Sequence, residues 1–116
     1  MLSAWTEAPV RLRADIINTI KKGTQTKVGG TITTWEIGPK DVLIHIAEQW
    51  KPEGGFEMIP DTSDPDKNAH RLDFKYISFQ TAKKPDKHAT QRYLEGRLLE
   101  MLLVHFRDSF SFISAE

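Results

Sequence analysis

No cysteine occurs in the 116 residues of this chain. Disulfide frameworks, thiolate nucleophiles and cysteine-ligated zinc are thereby excluded. Excess charge is missing too, since 16 lysines and arginines balance 16 aspartates and glutamates. A dedicated nucleic-acid binder draws its affinity from a basic surface that neutralises phosphates. Nucleic acid is therefore not the expected partner. Weak colloidal repulsion instead favours self-association. No apolar run approaches the ~20 residues a membrane-spanning helix needs. The opening MLSAWTEAPV lacks the basic start and apolar stretch of a signal peptide. The expected setting is the cytoplasm, with no membrane partner.

Catalytic fingerprints are scarce as well. The sequence holds no G-x-S-x-G, P-loop or dinucleotide motif. His45, His70, His88 and His105 have no close partner at metal-ligand spacing. His45 reads as a hydrogen-bonded structural histidine. The pairs Asp64/Asp66 and Glu53/Glu57 lack the spacing and glycine of a calcium loop. No cofactor is expected on these grounds. There is no internal repeat and no low-complexity tract.

What is present fits one domain over residues 1–116. A first helix is expected from Glu7 to Lys22, with Thr6 as its N-cap and Pro9 in its first turn. Leu12, Ile16 and Ile20 share one face. TITTWEI, Thr31–Ile37, reads as a strand between Gly29-Gly30 and Gly38-Pro39. Asp41–Trp50 fits both periods, and its β-branched residues favour a strand. KPEGG reads as a turn, FEMI as a returning strand, and Pro60 to Ala69 as an exposed loop. HRLDFKYISF is the clearest strand, with Leu72, Phe74 and Tyr76 on one face. Asp86 is a candidate N-cap for a long helix, Lys87 to His105. That helix is apolar around much of its circumference, so burial on more than one side is expected. Gly96 inside it costs about 1 kcal/mol relative to alanine, which a close backbone approach would offset. SFSFIS can add a last short strand. The order α-β-β-β-β-α-β defines an α+β fold, a mostly antiparallel sheet packed by two helices.

Two constellations could carry chemistry. Asp61 follows Pro60, and Asp73-Phe74-Lys75 places an acid and a lysine two apart on one strand face. Two carboxylates can hold Mg²⁺ or Mn²⁺, and a nearby lysine can orient the attacking water. The same residues also suit the solvated face of a half-buried strand, with Asp61 opening a loop. This Pro-Asp, spacer, acid-x-lysine pattern resembles the PD-(D/E)xK nuclease superfamily. The resemblance implies catalytic roles for Asp61, Asp73 and Lys75, with Mg²⁺ as the ion. The second constellation is basic: Lys83, Lys84, Lys87, His88 and Arg92 surround a helix start, where an anion or phosphate can bind.

The large rings and the apolar helix point elsewhere. Trp5, Trp35, Trp50, Phe106, Phe110 and Phe112 are many for a core of this size. A surplus along the second helix and the C-terminal segment would serve as an oligomer face. The element order around FQTAKKPDKHATQRYLEGRLLEML is similar to that of the tail-terminator ring proteins of tailed phages. Size and class also resemble small immunity proteins and inhibitors of mobile elements. The leading expectation is a non-enzymatic protein-protein interaction module, homo-oligomeric through the second helix and C-terminal aromatics. The metal-dependent nuclease is its alternative.

Overall fold

A computed structural model describes residues 1–46, 52–79 and 87–116. The chain forms an α+β fold: among the described residues, one curled antiparallel sheet of seven strands is packed by two helices. The strands are β1 (Leu2–Trp5), β2 (Thr26–Val28), β3 (Thr31–Ile37), β4 (Leu43–Ile46), β5 (Pro52–Asp61), β6 (Arg71–Ser78) and β7 (Phe112–Ala115). The helices are α1 (Pro9–Lys21) and α2 (Lys87–His105). Across the sheet the strand order is β2-β3-β4-β5-β6-β1-β7.

The pleat sorts the side chains. Phe56 and Met58 of β5, Leu72 and Phe74 of β6, and Leu2 and Ala4 of β1 face the helices. Leu12, Ile16, Ile17 and Ile20 come down from α1; Leu94, Leu98, Met101 and Leu102 come from α2. Each helix thus buries one stripe on the same side of the sheet. The opposite face of β5, β6, β1 and β7 carries Asp61, Arg71, Asp73, Trp5 and Phe112.

α1 begins later than the sequence suggests. Its N-cap is Ala8, and the Thr6 hydroxyl instead accepts from the Ala8 N–H at 3.2 Å. Pro9 at the first helical position loses no hydrogen bond there. At the other end Gly23 adopts φ 82 and donates to the Ile20 carbonyl at 2.9 Å, ending the helix. α2 runs over the expected residues, and the short last strand is present.

Two strands go beyond the expected order. β1 is four residues with serine and alanine at its centre, a composition with little strand propensity. It exists because ladders grip it on both sides, from β6 and from β7. β2 is three residues, joined to β3 by the Gly29-Gly30 turn, with Gly29 at φ 59. That glycine pair makes a hairpin with a second short strand, rather than only leading into β3.

The middle of the chain resolves in favour of strand. Leu43–Ile46 is β4, and residues 47–50 lie outside the described set. Pro52–Gly55 does not form the expected turn, because β5 starts at Pro52. Its two glycines are there for space. A Cβ on Gly55 would stand 2.6 Å from the Leu43 carbonyl oxygen, and one on Gly54 would stand 2.9 Å from Leu94 Cδ1. β5 also extends through Pro60 and Asp61, which the sequence places in a loop; the cross-strand pairs Pro60–Leu72 and Asp61–Arg71 hold them. His45 is buried on β4, edge-on to Trp35 with ring centroids 4.9 Å apart.

Candidate functional site

Asp61 ends β5 directly opposite Arg71 on β6, and Asp73 lies two residues further along β6. A two-residue step keeps the same face, so three charged side chains meet on the outer surface of the sheet. The Arg71 guanidinium sits between the acids. One of its terminal nitrogens is 2.9 Å from Asp61 Oδ2, and its Nε donates to Asp73 Oδ1 at 2.9 Å. Asp73 Oδ1 also accepts from the Ser3 hydroxyl at 2.7 Å. Asp73 is 8% exposed, so these bonds supply what water would otherwise give. The other Asp61 oxygen accepts from both the N–H and the hydroxyl of Ser63, at 3.0 and 2.6 Å.

Aromatic rings continue the cluster. The Arg71 guanidinium carbon lies 5.4 Å from the Trp5 ring centroid, a cation–π geometry. Trp5 Nε1 donates to the Ser114 hydroxyl at 2.8 Å. Phe112 stacks on Trp5 at 5.4 Å with planes 12° apart. Side chains of β5, β6, β1 and β7 are thus tied in sequence across one face. The two hydrogen bonds from Ser63 hold the Asp61 carboxyl below its ordinary range, with the Arg71 and His70 charges adding to the effect.

The predicted acids therefore converge, and the cation they share is a guanidinium. Arginine presents planar, permanently charged donors, so it can satisfy two carboxylates at once. A divalent ion at this point would have to displace it. No group of three or more histidine or acidic side chains is arranged to hold a metal among the described residues. Lys75 lies on the same face of β6, exposed and opposite Glu57, one step of two residues beyond Asp73.

The basic constellation is only partly described. Lys83 and Lys84 lie outside the described residues, as does Asp86. Lys87 and His88 open α2. Arg92 is exposed on the helix a little further along.

The aromatic and apolar surplus divides between the two faces. Trp35 and Phe106 are in the core, and Phe110 packs against it. Phe112 is 53% exposed on the far side of the sheet from α2. Trp50 lies outside the described residues. On α2, Arg92, Gly96, Leu99 and Leu103 follow one another at steps of four, three and four, and all are exposed. Leu99, Leu103 and the adjoining Val104 are 36%, 46% and 50% exposed. A Cβ on Gly96 would meet nothing within 4 Å, so the close approach expected there is not made among the described residues.

Arg71 and Ser3 escaped the sequence reading, and Trp5 entered it only as one of the large rings, not as a partner of Arg71. Arg71-Leu72-Asp73 carried a usable signal, because alternation puts its two charges on one face. Ser3 and Trp5 carried none, since their partners lie tens of residues away. No described helix is long and apolar enough to cross a membrane. No family model, curated protein or solved structure matches this chain.

Proposed function

We propose that the protein is a non-enzymatic assembly module that forms homo-oligomers through the outer face of α2. The observation behind this is the exposed Gly96–Leu99–Leu103 row with Val104 beside it. Alternating steps of four and three make the seam by which one helix packs on another. The helix already buries Leu94, Leu98, Met101 and Leu102 on its inner side. Apolar residues on both sides of one helix fit an element meant to be covered twice. The bare Gly96 gives room for a large side chain from the partner helix.

Sedimentation or light scattering at micromolar concentration reads the assembly directly. A dimer or larger species is expected, converted to monomer by Leu99→Glu with Leu103→Glu. A strict wild-type monomer at ~100 μM, where even weak specific contacts assemble, sinks the reading. The stoichiometry also separates a simple dimer from a closed ring of the tail-terminator kind.

The metal-dependent nuclease is kept as a second reading by one observation, that Asp61 and Asp73 meet at a single cation. It requires Arg71 to swing aside for Mg²⁺ or Mn²⁺ and requires Lys75 for the attacking water. Equal background cleavage by wild type and Lys75→Ala with either ion disposes of it.

A further inference from the structure

The β2–β3 hairpin leaves part of a strand edge uncovered. β2 pairs with Thr31 to Thr33 only, while β3 continues to Ile37. Backbone parity says which groups are left. The Gly38 N–H donates to the Val42 carbonyl across the β3–β4 connection. Alternate residues therefore turn their peptide groups to β4, and those of Trp35 and Ile37 point the other way. The two-residue Gly29-Gly30 turn, closing on the Val28–Thr31 pair, gives the same parity. Beyond Thr33 no described strand occupies that lane.

The vacancy follows from the chain path. Extending the ladder register would set Thr24 beside Trp35. By then, though, the chain has bent through Gly23 into the end of α1. A wedge opens there, a groove of about 380 Å³. Its walls are Ile20 and Lys21 at the end of α1, Gly23 to Gln25 leading out of it, and the Thr34 to Ile37 stretch of β3. Trp35 belongs to the same lining. It is 3% exposed, and its Nε1 is buried with no hydrogen-bond partner among the described residues. Buried indole N–H groups ordinarily find an acceptor.

We propose that this groove binds an extended peptide segment of another protein, added antiparallel to β3 in the lane that β2 vacates. Only a second extended backbone offers donors and acceptors at the two-residue interval set by Trp35 and Ile37. Its side chains alternate accordingly. Two apolar residues face Ile20 and Ile37, and a polar one between them faces exposed Glu36. The groove lies between β3 and the end of α1, so an added strand would run alongside Ile20 and Lys21. The β7 edge of a second copy would bring its own sheet behind it, a bulkier occupant for a groove with α1 alongside.

The test uses the whole chain and a display library of random nine-residue peptides as the probe. In the free protein, amide hydrogen exchange should be fast at Trp35 and Ile37 and slow at Thr34 and Glu36. Selected peptides should slow exchange at Trp35 and Ile37 and shift the Trp35 indole resonance. Thr24→Trp, which fills the groove, should weaken those peptides at least tenfold. Any of the following overturns the proposal: equal protection of all four amides in the free protein, a library that yields no binder, peptides whose shifts fall on α2, or binding unaffected by Thr24→Trp. Protection that rises with protein concentration alone also overturns it and assigns the groove to a second copy. The exchange pattern is read on the unaltered protein, so the proposal stays exposed even if Thr24→Trp fails to fold.

Discussion

Arg71 and Asp73, two residues apart on one strand, are joined by a 2.9 Å hydrogen bond from Nε to Oδ1, and Asp61 meets the same guanidinium at 2.9 Å. The arginine is the keystone of the outer sheet face. Arg71→Ala should lower unfolding free energy by about 1–3 kcal/mol, because it strips a nearly buried carboxylate of a charged partner. Arg71→Lys should recover only part of this, since one ammonium cannot span both acids and cover Trp5. Urea denaturation of the two variants checks both. The wild-type melting temperature should not respond to millimolar Mg²⁺ while the guanidinium stays in place; a rise of several degrees would point to a metal displacing it.

The pH dependence follows from Asp61. Its folded pKa is lowered, chiefly by the Ser63 hydrogen bonds. A carboxyl with a folded pKa below its unfolded value of about 3.9 binds fewer protons folded than unfolded. Its contribution is present above that unfolded value and is lost as pH falls through the folded one. Stability should therefore decline on acidification below about pH 5, and Asp61→Asn should make the decline shallower. Ser63→Ala should do the same to a smaller degree, because the backbone N–H of residue 63 still donates to Asp61 and Arg71 remains. Melting temperatures from pH 7 down to pH 2 decide this.

Gly96 separates two properties that usually move together. Among the described residues nothing comes within 4 Å of a Cβ placed on it. Gly96→Ala should therefore stabilise the fold at low concentration by roughly 0.5–1 kcal/mol, through helix propensity. The same methyl should weaken association if a partner helix packs there. Thermal unfolding in dilute solution and sedimentation at high concentration should shift in opposite senses.

Gly54 and Gly55 should respond unequally to alanine. At Gly55 the obstacle is the Leu43 carbonyl, part of a sheet backbone that cannot give way. At Gly54 the nearest atom is a side-chain methyl of Leu94. Gly55→Ala should cost about 1–3 kcal/mol and Gly54→Ala less, as expected for overpacking against a rigid and a more yielding neighbour. Chemical denaturation of both variants ranks them.

The sequence made the long elements legible, and the reasons are local. α1, β3, β6 and α2 each carry their own periodicity over seven residues or more. β1 and β2 are three or four residues long and owe their state to neighbours that no local pattern names. The glycines of β5 look like turn residues, because the sequence cannot show a carbonyl 2.6 Å from an absent Cβ. Asp61 reads as loop because proline precedes it, yet Pro60 and Asp61 sit where β5 pairs with β6 beyond the reach of β4. At the candidate site, alternation placed Asp73 and Lys75 on one face. That the acids would be joined through Arg71 depended on the β5–β6 register, which only the fold supplies.

β1 has a consequence for how the chain assembles in time. The Ser3–Asp73 bond closes across 70 residues and the Trp5–Ser114 bond across 109. No strand made soon after β1 can pair with it. On the ribosome, its edges stay open until β6 emerges, and one of them until β7 does. Contacts this distant in sequence slow folding, since the loop must be closed before the ladder rewards it. The polar and aromatic cluster on the outer sheet face is thus among the last parts to form. A growing chain halted before Phe112 would expose the Trp5 ring and the backbone edge of β1 to whatever else is near.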